Sequence, residues 1–368
     1  MKRETLKWGA VTLGAAIGLA TLGACAPVQK AAPAKTAAQA AAPVAAPALP
    51  ITLGDLTDFA LLYTDGGKQP ARQMSVAEAA DILKNYDVIF IGEEHRHPGN
   101  HIAEMALYRA IQERAPKTSL SLEQFERDVQ NVIDDFMAGK IGETPMRDAA
   151  RAWDNYPVSY RPLVEYAKAR SLPVIAAEVP GSVVRCVGER GPEFLDTMKP
   201  EQRGWAAAQL HITEGAYKDK YMKFAAGDGS HGEDTAKDKN EKKAPNAAAL
   251  RSFAAQVTRD DTMAESIYLH LQKNPGNKVV HLNGSFHSES FLGTAERLQM
   301  RDPKLKIAVV NPVQVKLGGK LEVNDEQAKT GTFVLLIGQS PKTYASMDEM
   351  KAAITKQMSF RGKNKCEL

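Results

Sequence analysis

Of the eight histidines in these 368 residues, three fall within ten positions, in the run Gly92-Glu-Glu-His-Arg-His-Pro-Gly-Asn-His101. Farther along come Glu123, Glu178, His281 and His287, the last within Gly284-Ser-Phe-His287. Neutral imidazole and carboxylate together suit a borderline divalent cation such as zinc, manganese or iron. The same groups can trade protons as general acid and base. His95, Glu123, His287 and His281 are the candidate metal ligands. In a catalytic reading, Glu93 is the general base. His95, Glu123 and His287 bind the metal or activate water, and His281 or His101 stabilises developing charge. Glu94 and His97 alternate outward from these positions and read as surface residues. Gly92 and Gly284 precede the two histidine clusters and permit tight turns out of a strand.

Positioning these groups takes a sheet whose strand ends converge. Ser75-Val-Ala-Glu78 is a capping-box start for a helix to about residue 85. Short apolar runs at 87–92, 118–123, 172–177, 278–283, 305–310 and 332–337 read as strands. Helical stretches lie between them, after the polar segment 93–100 to about residue 114, and at about 126–138, 161–170, 181–225 and 247–273, with another beginning near His287. Alternation of this kind predicts an α/β fold, a mainly parallel sheet with helices on both faces. A helical insertion at about 181–273 carries a Gly-, Asp- and Lys-rich segment, 227–246, that reads as a mobile loop. Ligands in such folds bind beyond the carboxyl ends of the strands. That is where the first, second, third and fourth core runs deliver Glu93 and His95, Glu123, Glu178, and His281 with His287.

The chain begins with Lys2, Arg3 and Lys7, then an almost uncharged run from Trp8 to Leu22, then Gly23-Ala24-Cys25. This is the layout of a secretory signal over residues 1–24, too short and Gly-rich for a spanning helix. Leu22-Gly-Ala-Cys25 resembles a lipobox, which makes Cys25 the expected acylation site. Residues 25–50 would then be the lipidated Cys and an Ala/Pro-rich tether, followed by one domain over 51–368. At ~3 Å per residue the tether spans up to roughly 70 Å. Ala26, rather than Asp, follows the Cys; by resemblance to enterobacterial lipoproteins this implies the outer membrane, facing the periplasm. The formal charge of +3 falls to about +1 without the signal, since Lys2, Arg3 and Lys7 outweigh Glu4 by two. That balance gives no reason to invoke nucleic acid. Cys186 and Cys366 remain, either bridged, as an oxidising compartment permits, or present as two small apolar residues. There is no zinc-type Cys spacing and no CxxCH for covalent haem attachment.

The paired Gly-x-x-His motifs, Gly92-Glu-Glu-His95 and Gly284-Ser-Phe-His287, resemble those of the superfamily that joins Tiki proteases, erythromycin esterases and the ChaN haem-binding lipoproteins. Longer matches point to the ChaN branch: Ser121-Leu-Glu-Gln-Phe125, Trp153-Asp154 with Tyr160-Arg-Pro-Leu-Val-Glu-Tyr166, and Arg259-Asp260 with Thr262-Met-Ala264. The chain departs from the family habit after its third run, where Glu178-Val-Pro180 stands in place of Asn-x-Pro, and after His101, which Ile102 follows. The resemblance implies a haem-binding lipoprotein of iron acquisition, with haem held between two subunits by a Tyr and a nearby His. No motif fixes the Tyr. Tyr217 and Tyr221, four apart and so on one helix face, are the candidates. His211 and His231 flank them, and His101 completes the cofactor-binding set. The same resemblance supports a second reading, a metal- or His/Glu-dependent hydrolase of the Tiki or esterase type. The lipoprotein format and the longer matches favour haem.

Overall fold

Buried parallel strands must be apolar on both faces, and the central run shows why this chain builds a sheet. In the computed structural model, which describes residues 52–225, 246–361 and 365–368, strand β3 spans Val88–Glu93. Its Ile89 and Ile91 face one apolar cluster, and Val88 and Phe90 face another. The other strands are β1 (Phe59–Tyr63), β2 (Arg72–Met74), β4 (Thr118–Glu126), β5 (Val174–Glu178), β6 (Lys278–Gly284), β7 (Ile307–Val315) and β8 (Phe333–Gly338). Together they form one eight-stranded sheet in the order β2-β1-β8-β7-β3-β6-β4-β5. The strands β3 to β8 pair in parallel, and β1 and β2 extend the sheet antiparallel beside β8. All six expected strands are present. The hairpin of β1 and β2, five and three residues long, was not anticipated.

Helix α1 (Val76–Leu83) starts as the sequence predicts: Glu78 N–H donates to the Ser75 side chain, and the Glu78 carboxylate accepts from Ser75 N–H. With helix α2 (Pro98–Arg114) and the helices Gln130–Met137 and Arg161–Lys168, it covers one face of the sheet. The long helix Ala247–Lys273 and the helix Thr294–Arg301 cover the other. The stretch read as a helical insertion is the crossover from β5 to β6, and its final, long helix packs directly on β5. The helix expected near His287 is instead two 3-10 turns, Ser285–His287 and Glu289–Phe291, before Thr294–Arg301 begins. Left-handed φ values at Ser290, Phe291 and Gly293 interrupt the helical path.

Strand β5 is the outer strand at its end of the sheet, and a side chain occupies its free edge. The Gln130 amide donates to Val174 O at 2.9 Å and accepts from Ala176 N–H at 2.7 Å. Cys186 and Cys366 form a disulfide that closes a sequence separation of 180 residues, packed with Val183, Val187 and Phe194. The segments read as signal and tether, with Cys25, lie outside the described residues, as do His231 and all but Asn246 of the segment 227–246 read as a loop. Among the described residues, no helix is long and apolar enough to cross a membrane.

Candidate functional site

The register of the central strands brings the two Gly-x-x-His motifs side by side. Strand β3 lies against β6 with Glu93 opposite Gly284. Strand β4 then departs from strict alternation. Between Leu122 and Glu126 it takes four steps while β5 takes two, from Ala176 to Glu178. Such a bulge re-aims side chains at a strand end. Here it delivers the consecutive residues Glu123 and Gln124 to different partners in one cluster: Gly284 N–H donates to Glu123, and Gln124 donates to Glu93.

Two histidine–carboxylate dyads frame this cluster. In the first, Glu93 Oε1 meets His95 Nδ1 at 2.6 Å and accepts from Tyr160 O–H at 2.8 Å and from the Gln124 amide at 2.9 Å. Glu93 is buried, whereas the His95 side chain is 45% exposed and packs edge-on to Trp153. With Nδ1 engaged, the His95 ring turns Nε2 toward Gly284; a Cβ on that glycine would lie 2.9 Å away. In the second dyad, His287 Nδ1 meets Asp260 Oδ1 at 2.7 Å. Asp260 is fully buried in the long helix and also accepts from Thr294 and Tyr217 hydroxyls. Glu123 lies between the dyads. Its Oε2 accepts Gly284 N–H at 2.5 Å, and its Oε1 sits 3.2 Å from Arg259 Nη2 and 3.7 Å from His287 Nε2. Arg259 also pairs with Glu178 at 2.6 Å, so one guanidinium joins the ends of β4 and β5.

Burial and charge act against each other here. Burial alone would raise Glu123, but the charges of His287, Arg259 and His95 and the Gly284 N–H bring it down to about 2. Burial raises Glu178 to about 7 in spite of Arg259, so Glu123 is the ionised member of the pair and Glu178 the one that takes a proton. Burial lowers His95, yet the hydrogen bond to Glu93 and the surrounding carboxylates outweigh it and hold its pKa above the ordinary value. His287 is likewise pulled down by burial and raised overall by Asp260 and Glu123. A half-exposed imidazole with Nδ1 fixed on a carboxylate can accept and return a proton through Nε2, while Arg259 and His287 can balance negative charge nearby.

The structure brings Glu93, His95, Glu123 and His287 together. Their ligand atoms do not form a metal-spaced group; among the described residues, the group that does is Glu93, His101 and Glu104. His95 is committed to Glu93, His287 to Asp260, and Glu123 to Gly284 and Arg259. His281 is fully buried three residues before Gly284 on β6, opposite Phe90; its Nδ1 lies 2.9 Å from Ser121 Oγ, and burial lowers its pKa to about 3, leaving a neutral ring. His97 is not a surface residue. It is buried and caps α2, with Nε2 2.7 Å from Gly338 O and Nδ1 accepting from Asn100 N–H. Tyr217 and Tyr221 share the helix Ala216–Ala225 and pack on Phe253 and Phe286, with Tyr217 bonded to Asp260 and Tyr221 2.5 Å from the exposed Ser252. His211 is separate, with Nδ1 on Asp261 at 2.7 Å. The sequence reading missed Asp260 and Glu104 as site residues. Asp260 and Asp261 are both fully buried in the long helix, and charges so buried rarely lack partners, but residue spacing alone does not reveal that burial.

Parallel strands and paired His–carboxylate dyads at their carboxyl ends define an α/β protein with a polar strand-end site. A family model described as haem-binding uptake, Tiki superfamily, ChaN matches residues 79–298. The chain belongs to that family. It shares its fold with ChaN of Campylobacter jejuni, solved with cofacially bound haem, at 18% identity and a TM-score of 0.55, covering 78% of this chain and 100% of that one. A mutant erythromycin esterase in its open conformation is similar at 12% identity and a TM-score of 0.40, covering 70% of this chain and 78% of the other. Curated protein sequences include no match.

Proposed function

We propose that this is a lipid-anchored envelope protein that binds haem for iron acquisition, tethered through Cys25 and facing the periplasm from the outer membrane. Membership of the ChaN haem-binding family, over 79–298, is the observation that carries the reading. The residues around the helix Ala216–Ala225 fit the group. Phe224 is 56% exposed and packs at a tilt against Phe286, offering an aromatic surface for a porphyrin. Tyr221 adjoins both rings, and its hydroxyl pairs with Ser252 at the surface, so it can be released to meet ferric iron. Tyr217 is less suited: burial and Asp260 raise its pKa well above the usual range and keep it a neutral phenol. Haem would supply the iron; the chain supplies the aromatic shelf and the phenol oxygen. A second copy of the chain closing over the shelf is part of this proposal. Haemin titration followed by the Soret band tests it. Saturable binding lost in Tyr221→Phe is expected, whereas a titration without saturation in the unmodified chain refutes it.

A hydrolase is the second reading. The two dyads around Glu123 favour it, because a haem shelf has no need of them. In that reading His95 Nε2 takes the proton from water, held by Glu93, and Arg259 and His287 stabilise the oxyanion. His95→Asn separates the two: haem binding stays intact while any hydrolysis is lost.

A further inference from the structure

On the other oxygen of Glu93 lies a small group of buried ligand atoms, of which the hydrolase reading uses only Glu93 itself. Glu93 is lopsided. Its Oε1 takes the contacts to His95, Tyr160 and Gln124, while its buried Oε2 has no hydrogen-bond donor. Facing that oxygen is His101 Nδ1, 3.7 Å away, and the same nitrogen lies 2.9 Å from Glu104 Oε2. Glu104 is fully buried, Glu93 is 2% exposed and His101 is 9% exposed. One ligand atom from each of the three residues lies within 4.8 Å of the other two.

We propose that Glu93 Oε2, Glu104 Oε2 and His101 Nδ1 form a binding site for a divalent transition-metal ion of the manganese, iron or zinc kind. Four ligands at about 2.1 Å around a tetrahedral ion stand about 3.4 Å apart. The contacts of 2.9 and 3.7 Å bracket that spacing, so small side-chain movements would close the site. Two carboxylates buried side by side repel when both are ionised; a proton on one of them or a cation between them relieves this, and an ion bound here would do so. One imidazole with two carboxylates selects borderline cations over calcium or magnesium, which prefer oxygen alone. The outer contacts are those of an oriented ligand set: the Asn100 amide donates to Glu104 Oε1 at 2.9 Å and to Gly92 O at 3.2 Å, and Tyr160 O–H and Gln124 fix Glu93 through Oε1. Helix α2 supplies two ligands one turn apart, since His101 and Glu104 are separated by three residues. The third comes from the end of β3. An ion here would reach the dyad cluster through Glu93, whose other oxygen holds His95, and so would act as a positioning centre for that imidazole.

The test is metal binding to the haem-free, metal-stripped full chain, by calorimetry with zinc and manganese chlorides and by elemental analysis after dialysis. One equivalent per chain is expected. Glu104→Gln and His101→Asn should each weaken it at least about ten-fold, while His287→Asn leaves it unchanged. Absence of binding, or binding that survives both ligand variants, or binding lost with His287→Asn, overturns the proposal. X-ray absorption of the zinc-loaded unmodified chain decides the matter if the variants do not fold. One imidazole with carboxylate oxygens supports this site, and two or more imidazoles place the ion elsewhere.

Discussion

Replacing Gly284 by Ala isolates the contact between the two Gly-x-x-His motifs. The backbone there, φ −51° and ψ 135°, is open to alanine, so any effect comes from the added methyl. That methyl would stand 2.9 Å from His95 Nε2 and 3.1 Å from Cε1. Ordinary contacts begin at 3.4 Å, so the ring must retreat by about 0.5 Å (3.4 less 2.9). The ring can give way because it is half exposed, but its 2.6 Å contact with Glu93 is then strained. A charge-assisted hydrogen bond contributes about 1.5–3 kcal/mol. Solvent at the exposed ring and the small displacement reduce the loss to roughly 1 kcal/mol. At 1.36 kcal/mol per unit, the pKa of His95 should fall by a little under one unit. Imidazole chemical shifts followed against pH, with His95→Asn to assign the signal, give the value directly. Thermal stability should change by less than about 1 kcal/mol. An unchanged His95 pKa would refute the packing argument. An intact pKa with a large loss of stability would show that the glycine serves the backbone rather than the ring.

Acid should destabilise the protein through Glu123. A carboxylate held at about 2 when folded adds stability above its unfolded value and loses it as pH falls toward 2. Melting temperature should therefore drop over that window more steeply in the unmodified chain than in Glu123→Gln, and parallel curves would contradict this. His287, raised on folding, acts with the opposite sign: its contribution is complete below the unfolded value and disappears as pH rises through the folded one, so Asp260→Asn should flatten the alkaline side of the profile. Arg259→Met leaves Glu123 and Glu178 buried without their shared cation, at a cost of about 3–5 kcal/mol by denaturant unfolding. Reduction of the Cys186–Cys366 bridge should lower stability by roughly 2–5 kcal/mol, measured against Cys186→Ser with Cys366→Ser.

The strands were legible because each carries a short apolar run with polar residues at its end, and β3 and β6 announce themselves through Gly92 and Gly284. Parallel pairing then placed Glu93, His95 and His287 in one cluster without further information. What could not be read depended on contacts between distant segments. The bulge that turns both Glu123 and Gln124 inward leaves no mark on residue spacing. His97 reads as outward by alternation, but the chain has left the strand by then, and the ring caps α2 and bonds Gly338 O across the sheet. Asp260 is hidden within a helix pattern, and its partners Tyr217, His287 and Thr294 come from three other segments. The β1–β2 hairpin is too short for its periodicity to register.

Strand β5 could have been an open invitation to a neighbouring molecule. With Gln130 already acting as a one-residue surrogate strand, the Val174 carbonyl and the Ala176 N–H are spoken for. At the opposite end β2 offers only three residues. A second copy therefore gains little by extending the sheet at either end, and fibre-like growth through those edges is blocked by the same two devices. Any pairing of subunits falls to side-chain surfaces such as the exposed Phe224, where a shared ligand, rather than backbone hydrogen bonding, would decide whether two chains meet.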